Sequence, residues 1–74
     1  MGFAIIELVV GPAGDFTERR SVGGFSTYRK AKDEIENVYI RGGEDSGYDA
    51  REKYWWVLTP RNDVLRYVIE PRDL

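Results

Sequence analysis

The chain has 74 residues, of which 42% are hydrophobic and 32% are charged, so it is expected to form a single folded domain over residues 1–74. It contains neither cysteine nor histidine, which excludes disulfides, thiolate metal sites, a cysteine nucleophile and the commonest general base. Eleven basic and thirteen acidic residues give a net charge of −2, without the basic excess that is typical of a nucleic-acid-binding module.

The first predicted element is a strand over residues 3–10, which are apolar and mostly β-branched except for Glu7. One face of this strand is fully apolar, whereas Glu7 interrupts the other. A Gly-Pro turn at residues 11–14 is predicted to end it. Residues 16–22 alternate more weakly and are predicted to form a second strand, with a loop as the alternative.

A single helix is predicted in the middle of the chain. Ser26 and Thr27 each offer a hydroxyl that can cap a helix N-terminus. The spacing of the apolar residues that follow predicts one buried stripe, made of Tyr28, Ala31, Ile35 and Val38. Gly42-Gly43 is predicted to end the helix.

The last part of the chain is predicted to form a hairpin of two strands, residues 52–59 and 64–70, around a turn at residues 60–63. The segment 42–50 is rich in glycine and acidic residues. It lacks the ligand spacing of an EF-hand, so a turn-forming loop is expected there and no metal site. The fold class is therefore α+β, in the order ββαββ (or βαββ), with one helix packed on one face of a mostly antiparallel sheet.

The turn of the predicted hairpin determines its register. A four-residue loop pairs Thr59 with Val64 and sets Trp56 opposite Tyr67. A slip by one residue would set Trp56 opposite Arg66 and introduce a charge into an otherwise apolar face. That apolar face is assigned to the core under the helix, with Ala4, Ile6, Leu8, Tyr54, Trp56, Leu58, Leu65, Tyr67 and Ile69.

The opposite face of the predicted sheet keeps several apolar side chains, which form a larger patch than a soluble monomer normally exposes. The simplest cover is the same face of a second copy, packed around a two-fold axis. We therefore expect a non-enzymatic homodimer that acts through protein–protein contact, with a different protein as the alternative cover. The expected interface residues are Phe3, Ile5, Val9, Trp55, Val57, Arg66 and Val68.

The alternative function is an anion- or nucleic-acid-binding module. The segment 19–32 carries five basic residues and no acidic one, and it includes the predicted start of the helix, where free N–H groups favour anions. An aromatic side chain on the sheet, Trp55, would stack on a base. The residues expected to bind the anion are Arg19, Arg20, Ser26, Thr27, Arg29 and Lys30.

Catalysis is not expected, and neither is a cofactor. Asp45 and Asp49 are the nearest pair of carboxylates for acid–base chemistry, but a domain of this size seldom encloses a pocket. The longest apolar run, residues 54–58, is too short to cross a bilayer, so no membrane partner is expected. The absence of cysteine fits a reducing compartment, and the cytoplasm is the expected location.

Overall fold

Five strands and one helix make up the part of the chain that the computed structural model describes, which is residues 2–11, 13–40 and 45–72. The strands form one antiparallel sheet in the order β2-β1-β5-β4-β3, and the helix packs on one of its faces. The elements are β1 (Gly2–Val10), β2 (Phe16–Phe25), α1 (Tyr28–Glu34, continued by a π-helical turn over Ile35–Tyr39), β3 (Asp45–Asp49), β4 (Tyr54–Leu58) and β5 (Val64–Arg72).

The predicted α+β class is confirmed, and the second strand is longer than predicted. The segment 42–50, predicted as a loop, contains the additional edge strand β3, while residues 42–44 lie outside the described residues. Contacts with β4 explain this strand. The Tyr48 ring lies 4.5 Å from that of Trp55, and a Cβ at Gly47 would lie 2.9 Å from Cζ2 of Trp56. Glycine thus leaves room for the Trp56 indole to lie across the edge of the sheet.

The loop between β4 and β5 has three residues rather than the predicted four. The N–H of Thr59 donates to the carbonyl of Asp63 at 2.8 Å, and the N–H of Asn62 donates to the carbonyl of Thr59 at 2.9 Å. Asn62 has a φ of 66°, a left-handed conformation that asparagine tolerates better than most residues. A turn followed by one left-handed residue is a common three-residue hairpin connection.

This loop shifts the hairpin register by one residue and exchanges the faces of β4. Trp56 lies opposite Arg66, so the predicted pairing with Tyr67 is wrong; Trp55 lies opposite Tyr67 instead. The side chains that pack with α1 in the core are Ile5, Ala31, Ile35, Trp55, Val57, Leu65 and Tyr67. The predicted core face is therefore right for β5 and wrong for β1 and β4.

The observed faces of β1 and β4 place most of the predicted interface residues in the interior. Phe3, Ile5, Val9, Trp55 and Val57 lie on the helix side of the sheet, where they belong to the core or pack against it. Their assignment to an exposed face is wrong. Only Arg66 and Val68 lie on the opposite face, because they pair with Trp56 and Ile6.

The predicted hydroxyl cap at the start of α1 is present. The side chain of Thr27 accepts a hydrogen bond from the backbone N–H of Lys30 at 3.2 Å, which satisfies one of the free donors of the first turn. The predicted turn at residues 11–14 also forms, with the N–H of Gly14 donating to the carbonyl of Gly11 at 3.0 Å. Pro12 lies outside the described residues.

The buried stripe of the helix is shorter than predicted. Ala31 and Ile35 are fully buried, whereas Tyr28 and Val38 remain 42% and 59% exposed. From Ile35 the backbone widens into a π-helical turn, in which residues five apart are hydrogen-bonded and the α-helical spacing no longer applies. Tyr39 and Ile40 therefore pack against the core in place of Val38. The predicted end at Gly42-Gly43 lies outside the described residues.

Candidate functional sites

The face of the sheet opposite α1 has no helix over it in the described part of the chain. We call it the open face. Ala4 and Ile6 at its centre are buried, but the apolar side chains around them are half-buried or exposed. These eight residues are Leu8, Val10, Phe16, Tyr54, Trp56, Leu58, Val64 and Val68. They form an apolar surface that extends across β2, β1, β5 and β4.

One cation lies in the middle of the open face. The guanidinium carbon of Arg66 lies 3.9 Å from the centre of the Phe16 ring and 4.1 Å from that of Tyr54. The two rings hold the cation through their π faces. Arg66 makes no salt bridge with any residue in the described ranges. Its charge helps to lower the pKa of Asp49, but no carboxylate in the described ranges pairs with it directly, so it can pair with a carboxylate of a partner that covers this face.

A carboxylate lies in the same row of the open face, two strands away. Leu8 pairs with Glu18 on β2 and with Arg66 on β5, so the three side chains point to the same side. Two strand spacings separate Glu18 from Arg66, about 10 Å. Glu18 is exposed and forms no salt bridge within the described residues.

A buried carboxylate lies on the helix side of the sheet. Glu7 is 3% exposed, and its Oε2 accepts hydrogen bonds from the Tyr67 hydroxyl at 2.9 Å and from Nε of Arg20 at 3.3 Å. Nε of Arg19 lies 3.5 Å from its Oε1. Both oxygens of this buried carboxylate therefore have polar partners, which offset the cost of its burial.

A β-bulge explains how two consecutive arginines reach the same carboxylate. Glu7 pairs with Arg20 and the next residue, Leu8, pairs with Glu18, so Arg19 is the extra residue of β2. A bulge of this kind lets two neighbouring side chains point to one side of the sheet. This cluster was not predicted from the sequence, in which Glu7 is only an interruption of an apolar face. The signal was the pair of adjacent arginines in a strand that otherwise alternates.

The two arginines line a cleft of about 420 Å³ between the sheet and the end of the helix. We call it the arginine cleft; its walls are Glu7, Arg19, Arg20, Val38, Tyr39, Leu65 and Tyr67. The guanidinium carbon of Arg20 lies 5.2 Å from the centre of the Tyr39 ring, and that ring packs at 5.2 Å against Tyr67. The cleft thus combines cations with an aromatic and aliphatic floor.

The six residues predicted to bind one anion do not converge. Arg19 and Arg20 lie in the arginine cleft, while Arg29 and Lys30 lie in the first turn of α1. Six residues of extended chain, about 20 Å, separate Arg20 from Ser26. The Thr27 hydroxyl oxygen accepts the capping hydrogen bond from the N–H of Lys30.

The acidic segment forms a turn after β3. The carboxylate of Asp49 accepts hydrogen bonds from the backbone N–H groups of Glu52 at 3.0 Å and Arg51 at 2.9 Å, and these bonds hold the pKa of Asp49 below its usual value. Asp45 lies at the other end of β3, about 13 Å away by strand geometry, so the two carboxylates do not form an acid–base pair. Within the described ranges no three acidic side chains converge on a possible metal position.

The hydrogen bond between Tyr67 and Glu7 predicts a loss of stability at alkaline pH. Burial, followed by the hydrogen bond to Glu7, raises the pKa of Tyr67 well above its ordinary value of 10.0. Above that ordinary value the unfolded chain loses the tyrosine proton while the folded chain keeps it. Stability therefore decreases as the pH rises, by up to about 1.4 kcal/mol per pH unit.

Urea denaturation between about pH 9 and pH 11.5 tests this expectation in the wild type and in Tyr67→Phe. The variant is expected to lose stability less steeply over this range, because it has no proton to retain. Tyr28→Phe is the matched control. Tyr28 is exposed, and burial raises its pKa less than it raises that of Tyr67. Equal slopes in the wild type and Tyr67→Phe would contradict the role given to this hydrogen bond.

The fold and its two sites define a small α+β domain with an apolar open face on one side of its sheet and a cationic cleft on the other. Comparison of the chain with protein-family models, curated proteins and solved structures finds no match. In the described part of the chain, no helix has both the length and the apolar character needed to cross a membrane.

Proposed function

We propose that the protein is a small non-enzymatic homodimer that acts through protein–protein contact, and that the open face is the interface between the two copies. The observation that carries this proposal is the row of eight half-buried or exposed apolar side chains on a sheet face without a helix. A contiguous apolar patch of this kind is typical of an interaction surface. We place the homodimer in the cytoplasm, because a chain without cysteine suits a reducing compartment.

The charges of the open face favour a second copy as its cover. A two-fold axis that runs along β1 above Leu8 exchanges the positions of β2 and β5. Glu18 then faces Arg66 of the partner subunit, and the reverse pair forms on the other side of the axis. Each copy supplies both charges, so the face is complementary to itself. Sheets packed in this way lie about 10 Å apart, with their apolar side chains interleaved.

Charge exchange between Glu18 and Arg66 tests this arrangement by sedimentation equilibrium. Glu18→Arg sets two arginines against each other in the dimer, and Arg66→Glu sets two carboxylates against each other. Each single variant is expected to raise the dimer dissociation constant at least about tenfold, because like charges in an interface cost several kcal/mol. The double variant Glu18→Arg/Arg66→Glu restores both pairs and is expected to restore the dimer.

The matched control is Glu52→Arg, which changes the net charge as Glu18→Arg does but lies in the exposed turn after β3. It is expected to leave dimerisation unchanged. A wild-type protein that stays a folded monomer at high micromolar concentration would overturn the homodimer and leave a different protein as the cover. A dimer that none of the variants weakens would overturn the open face as its interface.

A further inference from the structure

Glu7 holds both arginines of the cleft through the same atom of each side chain. The contacts run to Nε of Arg19 at 3.5 Å and to Nε of Arg20 at 3.3 Å. The terminal Nη groups make no hydrogen bond or salt bridge with other residues in the described ranges. The two side chains remain 61% and 54% exposed. The buried carboxylate thus positions two guanidinium groups side by side and leaves their terminal donors free.

The charges of the cleft do not balance. Two guanidinium groups share the single carboxylate of Glu7, which leaves one positive charge in excess. Arg61 and Asp63 line an adjoining cleft together with Arg19 and add one charge of each sign, so the excess remains. Glu7 cannot compensate further, because its Oε2 already accepts from both Arg20 and the Tyr67 hydroxyl. An anion in the cleft would restore the balance.

The remaining walls of the cleft are apolar or aromatic. Val38 is 59% exposed although it is aliphatic, and it lies beside Tyr39 and Leu65. These three side chains also line a second cleft that continues toward Pro60. The volume of about 420 Å³ lies within the range of small-molecule sites. A flat apolar group that lies here would cover Val38 and contact the Tyr39 ring.

We propose that the arginine cleft binds a small organic anion in which a phosphate or carboxylate is attached to a flat apolar group. The anionic group accepts hydrogen bonds from the terminal nitrogens of Arg19 and Arg20, whose planar forks match both oxyanions. The flat group lies on Tyr39 and Val38. Glu7 is a positioning residue, because it acts only through the two arginines. This site is independent of the open face, which lies on the other side of the sheet.

Titration of the ¹⁵N-labelled wild-type protein by NMR tests the proposal, with phenyl phosphate, benzoate and inorganic phosphate as the probes. Phenyl phosphate or benzoate is expected to shift the amide signals of Arg19, Arg20 and Tyr39 saturably. The stronger of these two binders identifies the anionic group. Inorganic phosphate is expected to bind more weakly than phenyl phosphate, because it makes no contact with Tyr39 or Val38.

Arg19→Gln and Arg20→Gln are each expected to weaken binding of the stronger probe roughly tenfold to a hundredfold, as the loss of a charged hydrogen-bond donor implies. Arg29→Gln makes the same charge change in the first turn of α1 and is expected to alter the affinity less than about twofold. Arg20→Lys keeps the positive charge but lacks the planar guanidinium group, so it is also expected to bind the probe more weakly than the wild type. It replaces Arg20→Gln if that variant does not fold.

Two results would overturn the proposal. The first is the absence of saturable shifts at Arg19, Arg20 and Tyr39 with both aromatic probes at millimolar concentration. The second is an equal loss of affinity in Arg29→Gln and Arg19→Gln, which would show that only the net charge attracts the anion. The oligomeric state of each variant is measured in parallel. This measurement distinguishes a failure of the anion-site proposal from a failure of the homodimer proposal.

Discussion

Replacing Trp55 with alanine is expected to lower the free energy of unfolding by about 3–5 kcal/mol, a large share of the stability of so small a domain. Trp55 is 1% exposed and belongs to the core cluster between the sheet and the helix. Its indole Nε1 donates a hydrogen bond to Glu36 on the helix at 3.1 Å. Alanine removes this bond and leaves a cavity that the sheet and helix cannot fill. Urea denaturation at low protein concentration measures the loss.

The neighbouring tryptophan provides a matched control. Trp56 is only half-buried and lies on the open face across Gly47, so Trp56→Ala is expected to destabilise the monomer clearly less than Trp55→Ala. The comparison decides between the two hairpin registers, because the four-residue loop would bury Trp56 and expose Trp55. A larger loss in Trp56→Ala would contradict the register of the structure.

Ile35→Ala is expected to lower the free energy of unfolding by about 2–5 kcal/mol. Ile35 is fully buried and lies where the α-helix changes into the π-helical turn. Truncation removes the aliphatic contact that joins the helix to the sheet at this point. Denaturation in urea again gives the measurement, with the slope of the transition as a check on two-state behaviour.

The control for this second expectation is Val38→Ala on the same helical stripe. Val38 is 59% exposed, so its truncation is expected to change the stability by less than about 0.5 kcal/mol. A regular α-helix would bury both residues and make both substitutions costly. Losses of stability of similar size in the two variants would therefore contradict the π-helical turn. They would favour a regular α-helix that buries both residues, as the spacing of the apolar residues predicts.

The local sequence was sufficient to predict the α+β class and most of the element positions. The β-branched run of β1, the hydroxyl cap at Thr27 and the proline turn after β4 each act over a few residues. Such signals can be read without knowledge of the partners in the fold. The burial of Ile35 also followed from helical spacing, because the residues before it are α-helical.

The face of β4 could not be predicted, because it depends on one residue of loop length. In β4 and β5, both sets of alternate residues are largely apolar, so either face of the hairpin could be buried. The hydrophobic pattern alone therefore favoured the register that has no charge opposite Trp56. The left-handed conformation of Asn62 makes the shorter loop possible. Arg66 is tolerated on the open face because the rings of Phe16 and Tyr54 hold it. Those rings belong to distant strands and meet only in the folded sheet.

The sequence by itself determined the positions of β1, β2, β4, β5 and the start of the helix, since these follow from short-range spacing and capping. It did not determine β3, which forms only through its contacts with β4. Only the tertiary structure decided that β1 turns Glu7 toward the helix. A charged residue is buried only where partners neutralise it, and here the partners are Tyr67 on β5 and two arginines on β2. The bulge that brings Arg19 and Arg20 to one side exists only once β1 and β2 pair. The arginine cleft and the open face are therefore products of strand pairing between segments that are far apart in the chain.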